Sequence, residues 1–64
     1  MPYATIAELP PAARHLPHHA QEIFLAAFNA AWNSYDGDEE TAFRVAWAAV
    51  KKRYRKIGDV WVER

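Results

Sequence analysis

Residues 20–35 read AQEIFLAAFNAAWNSY, and beyond Asp36-Gly37-Asp38 residues 39–56 read EETAFRVAWAAVKKRYRK. In the first stretch Ala20, Ile23, Phe24, Ala27, Phe28, Ala31, Trp32 and Tyr35 recur at i, i+3, i+4, i+7, the spacing of one buried helix face. Gln21, Glu22, Asn29 and Asn33 take much of the opposite face, with Leu25 an apolar residue placed near solvent. In the second stretch Ala42, Phe43, Ala46, Trp47, Ala49, Val50 and Tyr54 form the stripe, with Val45 at its edge. Gly37 takes positive φ at low cost. Asp38, or Asp36 if the helix starts earlier, can cap the second helix, and Glu39 and Glu40 fall where the macrodipole favours negative charge. So short a connection predicts an antiparallel helical hairpin over about residues 18–35 and 39–56.

Working outward, Pro17 suits the first turn of the first long helix. Pro11 can open a short helix through Ala12-Ala13-Arg14-His15-Leu16. Thr5 can cap a brief turn through Ile6-Ala7-Glu8-Leu9, with Glu8 placed for a capping box. On the other side, Gly58 sits where a helix stop is expected. Val60-Trp61-Val62 then has β character, and Tyr3-Ala4-Thr5 is its natural partner. This allows a two-stranded terminal ribbon, packed on the helices through Trp61 because isolated strand pairs are marginal. The fold class expected is therefore mostly α, as a single domain over residues 1–64.

Size narrows what such a chain can do. A domain of 64 residues buries only about 60% of its unfolded surface, and its net stability is about 3–5 kcal/mol. There is no cysteine, which removes disulfides, thiolate metal sites and a cysteine nucleophile, and fits the cytosol. No apolar run approaches the ~20 residues that span a bilayer, and the N-terminus carries no signal-peptide pattern. A net charge of zero gives no global attraction to nucleic acid or anionic lipid. The hydroxyls Thr5, Ser34 and Thr41 each suit a turn or helix end. A pocket of ~300 Å³ or more is not expected in so small a body. No enzyme, cofactor or metal requirement follows from any of this.

A resemblance covers nearly the whole chain. Met1-Pro2-Tyr3, Leu9-Pro10, Leu16-Pro17, His19-Ala20-Gln21 and Ile23 lead into Ala27-Phe28-Asn29-Ala30-Ala31-Trp32 and Tyr35. Glu39-Glu40-Thr41-Ala42, Val45-Ala46-Trp47-Ala48-Ala49-Val50-Lys51, Tyr54 and Trp61 complete it. In these landmarks the sequence resembles the ChaB family, small proteins named as cation transport regulators. The resemblance implies a regulatory role linked to cation/proton antiporters, and it implies no catalytic residues. The connection Asp36-Gly37-Asp38 is shorter than is usual in that family.

Three charged groups are candidates for function. His15, His18 and His19 are near a helix start. His19 and Glu22 stand at metal-ligand spacing, and histidines titrate near neutrality. Pro17, however, separates His15 from the other two, and adjacent His18 and His19 point apart. Asp36, Asp38, Glu39 and Glu40 are oxygen donors without an EF-hand spacing, and helix capping accounts for them. The basic run Lys51, Lys52, Arg53, Arg55 and Lys56 is the sharpest feature. Macrodipole compensation in the last turns of the helix accounts for part of it, but does not require five cations. These five are the expected partner-binding residues. Trp32, Trp47 and Trp61 are expected in the core.

The function expected is an accessory interaction module that docks on a protein partner, such as a membrane antiporter or its regulator, from the cytoplasm. The alternative is nonspecific nucleic-acid binding through the same five cations.

Overall fold

The computed structural model describes residues 3–64. Met1 and Pro2, which contribute to the resemblance and to the reading of the N-terminus, lie outside the described residues. A 3₁₀ turn at Ile6–Glu8 is followed by α1 (Pro11–Arg14), α2 (His18–Ser34), α3 (Glu39–Arg53), β1 (Tyr54–Ile57) and β2 (Val60–Glu63). α2 and α3 pack against each other as the predicted hairpin.

The core follows the alanine-and-ring stripes. Ala20, Phe24, Phe28 and Ala31 of α2 meet Ala42, Ala46 and Val50 of α3, all buried. Alanines let the two backbones approach, and Phe24 and Phe28 fill the space between. Phe43 lies 4.8 Å from Phe28 and 6.2 Å from Phe24, and Trp47 meets Phe24 edge-on at 5.0 Å, ring centre to ring centre. A Phe buried in this way is worth about 3–5 kcal/mol against Ala, as much as the whole stability expected of a domain this size. Leu9, Ala13 and Leu16 close the core from the N-terminal side. Leu25, expected near solvent, is half-buried and packs on this cluster. The N-terminal segment lies on α2, so the apolar surface of that helix extends beyond its α3-facing stripe.

The turn between the long helices is built as read, with one refinement. Gly37 N–H donates to Trp32 C=O (2.8 Å), the six-residue closure of a Schellman motif. Asp36 takes the left-handed position of that motif at φ 55°, and Gly37 follows at φ 78°. Asp38 is the N-cap of α3. Its carboxylate accepts from the Thr41 N–H (3.3 Å) and hydroxyl (2.8 Å). Those bonds hold its carboxyl below the usual carboxylate range. Tyr35 was expected in the α2 stripe but is 53% exposed. As the C-cap residue it has already left helical geometry at φ −114°, ψ 27°.

Three expectations about the second half of the chain are corrected. The second long helix stops at Arg53, not Lys56, because Tyr54 is extended (φ −130°, ψ 155°). Gly58 does not terminate the helix. At φ 61° it is the first of two turn residues in a β-hairpin, the place that a type II′ turn reserves for glycine. β1 pairs with β2 antiparallel, from Tyr54 opposite Glu63 to Ile57 opposite Val60. The partner of Val60-Trp61-Val62 is therefore the segment just before it, not Tyr3-Ala4-Thr5. A two-residue connection costs far less loop entropy than joining the two ends of the chain.

Tyr3 has another partner. Its N–H donates to Asn29 Oδ1 (3.0 Å), and its C=O accepts from Asn29 Nδ2 (2.8 Å). A side-chain amide on α2 thus replaces the strand that Tyr3 was expected to meet. The Tyr3 ring lies 4.8 Å from Phe28. Its partial burial, with the Glu39 carboxylate, pushes its hydroxyl pKa up. Downstream, the Glu8 carboxylate accepts from Ala4 N–H (2.7 Å) and Thr5 N–H (3.2 Å), the glutamate half of the predicted capping box.

Candidate functional site

The five candidate cations divide between two elements. Lys51, Lys52 and Arg53 occupy the last turn of α3, while Arg55 and Lys56 lie on β1. All five are exposed. The helix macrodipole favours the first three, but its influence fades within the final turn, so Arg55 and Lys56 lie outside its account. The α3 end has a further cation that the sequence reading left out. Arg64 N–H donates to Arg53 C=O and Arg64 Nε to Lys51 C=O, each at 2.8 Å. The hairpin thus returns an arginine onto the open carbonyls of the helix it follows. Only the Gly58-Asp59 pair between two short β-prone runs signals this return in the sequence.

Strand alternation then separates Arg55 from Lys56. Cross-strand partners share a face, so Lys56 lies with Trp61, and Arg55 with Val62. The Trp61 side packs on α3: the indoles of Trp61 and Trp47 are stacked, with ring centres 6.1 Å apart. The other side leaves Ile57 and Val60 more than half exposed.

Trp47 is the hinge of the surface. Expected in the core, it is only half-buried, as are Trp32 and Trp61. The reason is size: the space between the helices is already filled by two phenylalanines. Trp32 covers the turn, with its ring 3.4 Å from where a side chain on Gly37 would begin. Trp47 borders two open depressions of about 500 Å³ and 480 Å³, which corrects the expectation that none of this size would fit. The first follows the outer face of α3, along Glu40, Phe43, Arg44, Trp47, Ala48 and Lys51. The second lies between α1 and the hairpin, where Ala12, His15, Lys56 and Asp59 surround Trp47 and Trp61.

The histidines do not converge. His15 borders the second depression. His18 Nε2 lies 3.8 Å from the Glu22 carboxylate, one turn along α2, so the glutamate paired with His19 by spacing faces His18 instead. His19 Nδ1 lies 3.3 Å from the buried Tyr54 hydroxyl. Among the described residues no three His, Asp or Glu side chains are grouped to hold a metal ion. Of the acidic cluster, Asp38 is committed to capping and Glu40 to Arg44 at 2.9 Å.

This fold, with its basic end and half-covered tryptophans, has known counterparts. Residues 9–64 match the family model described as ChaB. The chain belongs to the ChaB family. A relative from Escherichia coli (strain K12), named "Putative cation transport regulator ChaB", is 48% identical, the alignment covering 92% of this chain and 91% of the relative. A relative from Shigella flexneri with the same name matches to the same extent. The alignment runs over 69 positions, more than the 64 residues of this chain, so this chain is the shorter within the matched stretch. A solution structure titled "NMR solution structure of the putative cation transport regulator ChaB" superposes with a TM-score of 0.86 at 44% identity. That match covers 98% of this chain and 99% of the other. The family is named for regulation, not for a reaction. No helix among the described residues of this chain is long and apolar enough to cross a membrane.

Proposed function

We propose that this chain is a non-catalytic regulatory module of cation transport that docks on a protein partner through the basic end of α3 and β1. One observation carries the reading. Lys51, Lys52, Arg53, Arg55 and Lys56 are exposed, and none forms an ion pair among the described residues. Two of the five stand on a strand, where helix electrostatics gives no reason for them. Asp36, Asp38, Glu39 and Glu40 are at the opposite end of α3. Charge separated in this way orients an encounter and speeds association more than it tightens the final complex. The names of the relatives suggest a partner in cation transport, and the cytoplasmic face of a cation/proton antiporter, or a regulator bound to it, fits a basic docking surface.

The test replaces Lys52, Arg53 and Arg55 together by Ala. Capture of a solubilised cation/proton antiporter at low salt is expected to weaken at least tenfold, while far-UV circular dichroism stays helical. Unchanged capture by a folded variant overturns the assignment. Duplex DNA is the control ligand. Binding through five phosphate contacts would lose affinity with a log–log salt slope of about −4 to −5, and such a slope without antiporter capture would move the reading to nucleic acid.

A further inference from the structure

We propose that the outer face of α3 is a self-complementary interface, on which a second copy of this chain seats its own α3 antiparallel to the first. The open depression there runs along Glu40, Phe43, Arg44, Trp47, Ala48 and Lys51. Glu40, Arg44, Trp47 and Lys51 follow one another at four-, three- and four-residue steps, the seam spacing of paired helices. α2 occupies the opposite face of α3, and the contacts of Phe43 and Trp47 with Phe24, Phe28 and Trp61 leave both only half-buried, so the outer side of this seam is open.

The order of residues along the seam determines its occupant. In a symmetric dimer the same patch must match itself about a two-fold axis. An axis crossing α3 between Val45 and Ala46 brings Glu40 of each copy level with Lys51 of the other. It brings Arg44 level with the other Trp47, and Phe43 level with the other Ala48. Each level joins unlike partners: acid with base, guanidinium with indole, large with small; the Glu40–Arg44 pair within each chain is exposed, so giving it up for these contacts costs little. Glu40 and Lys51 are about 16 Å apart along the axis at 1.5 Å per residue, so the two ion pairs bracket the apolar centre. Arginine over an indole is a favourable cation–π arrangement, and Trp47 already has Trp61 stacked on it and Phe24 at its edge, which fixes the ring. Ala48, exposed beside Trp47, lets the two backbones approach. A parallel arrangement would instead set Glu40 on Glu40 and Lys51 on Lys51. The interface shares only Lys51 with the docking surface proposed above and omits Lys52, Arg53, Arg55 and Lys56, so the docking test on Lys52, Arg53 and Arg55 leaves it untouched.

One helix face buries less than the ~1,200 Å² of a standard interface, and weak self-association is expected. The experiment is sedimentation equilibrium of the intact chain from about 10 μM to 1 mM, at salt low enough to leave ion pairs unscreened. The wild type should move from monomer towards dimer mass. E40K and K51E should each weaken association at least tenfold, because each makes both ion pairs repulsive. The double variant E40K/K51E should recover it, since the signs are exchanged and complementary again. A48E, at an exposed position that favours helix, should also abolish it, and serves if E40K folds poorly. Far-UV circular dichroism confirms folding of each variant. A wild type that remains monomeric to 1 mM overturns the proposal. So does a folded A48E that associates as before, or a folded double variant no stronger than the single ones.

Discussion

The contact between Tyr3 and Asn29 fixes how the N-terminal segment lies on the hairpin, and it can be broken with one substitution. Asn29→Ala removes both the acceptor for Tyr3 N–H and the donor to Tyr3 C=O, at 3.0 and 2.8 Å. Each such bond contributes about 0.5–1.5 kcal/mol net, so about 1–3 kcal/mol is at stake. The site is partly buried, and water can reach a released segment, which places the expected loss near the middle, about 2 kcal/mol. At about 4–8 °C per kcal/mol for a domain of 60–100 residues, the melting temperature should drop by roughly 8–16 °C. Thermal and urea unfolding followed at 222 nm measure it. Asn29→Asp keeps an acceptor but presents a carboxylate to the Tyr3 carbonyl, so it should recover little of the loss. The decisive measurement is a cycle with Tyr3→Ala. Both changes release the same segment from Phe28 and α2, so their costs should fall short of additivity by about 1 kcal/mol. Additive costs, or a loss below ~0.5 kcal/mol for Asn29→Ala, would refute the view that the amide anchors this segment.

The turn between the helices gives a pair of opposite expectations. Asp36→Gly relieves a left-handed residue at φ 55° and should stabilise by about 0.5–1 kcal/mol. Gly37→Ala instead places a Cβ at φ 78° and 3.4 Å from the Trp32 ring, and should destabilise by about 1–2 kcal/mol; urea midpoints order the two. Asp38 supplies a pH dependence. Its folded pKa lies below the ordinary carboxylate value because Thr41 binds the charged form. Its contribution is therefore present above the unfolded pKa and is lost as pH falls through the lower folded one. Stability measured from pH 5 to pH 2 should fall less steeply in Asp38→Ala than in the wild type, and the Thr41 amide resonance should titrate with a midpoint below that of free aspartate.

The helical hairpin was legible because it rests on local rules. Two stripes at helical spacing, a Gly-containing break and an Asp at the cap each act within a few residues, and each appears where expected. Leu25 and Tyr35 were misplaced because burial depends on what the helix meets: Leu25 packs on the core cluster, and Tyr35 has left the helix. The half-exposure of Trp47 follows from a volume, that left between two helices already holding Phe24 and Phe28, and no periodicity records it. Of the site, the composition of the basic run was readable, but its arrangement was not. Lys51 to Lys56 look like one helical patch until β1 places Arg55 and Lys56 on opposite faces of a hairpin.

The amino-acid sequence by itself determined two amphipathic helices, the turn that folds one against the other, and family membership. Each depends on the identity and spacing of neighbouring residues. Only the tertiary structure decided which partner each chain end takes. Tyr3 could satisfy its backbone with a strand or with the Asn29 amide, and Val60-Trp61-Val62 could pair with residues 3–5 or with β1. Both choices satisfy the same local hydrogen-bonding needs, so local preference does not separate them. The balance tips on the short Gly58-Asp59 loop and on the packing of Tyr3 against Phe28 and Trp61 against Trp47. Those contacts join each chain end to a long helix far from it in sequence, Tyr3 to α2 and Trp61 to α3, beyond the reach of local rules.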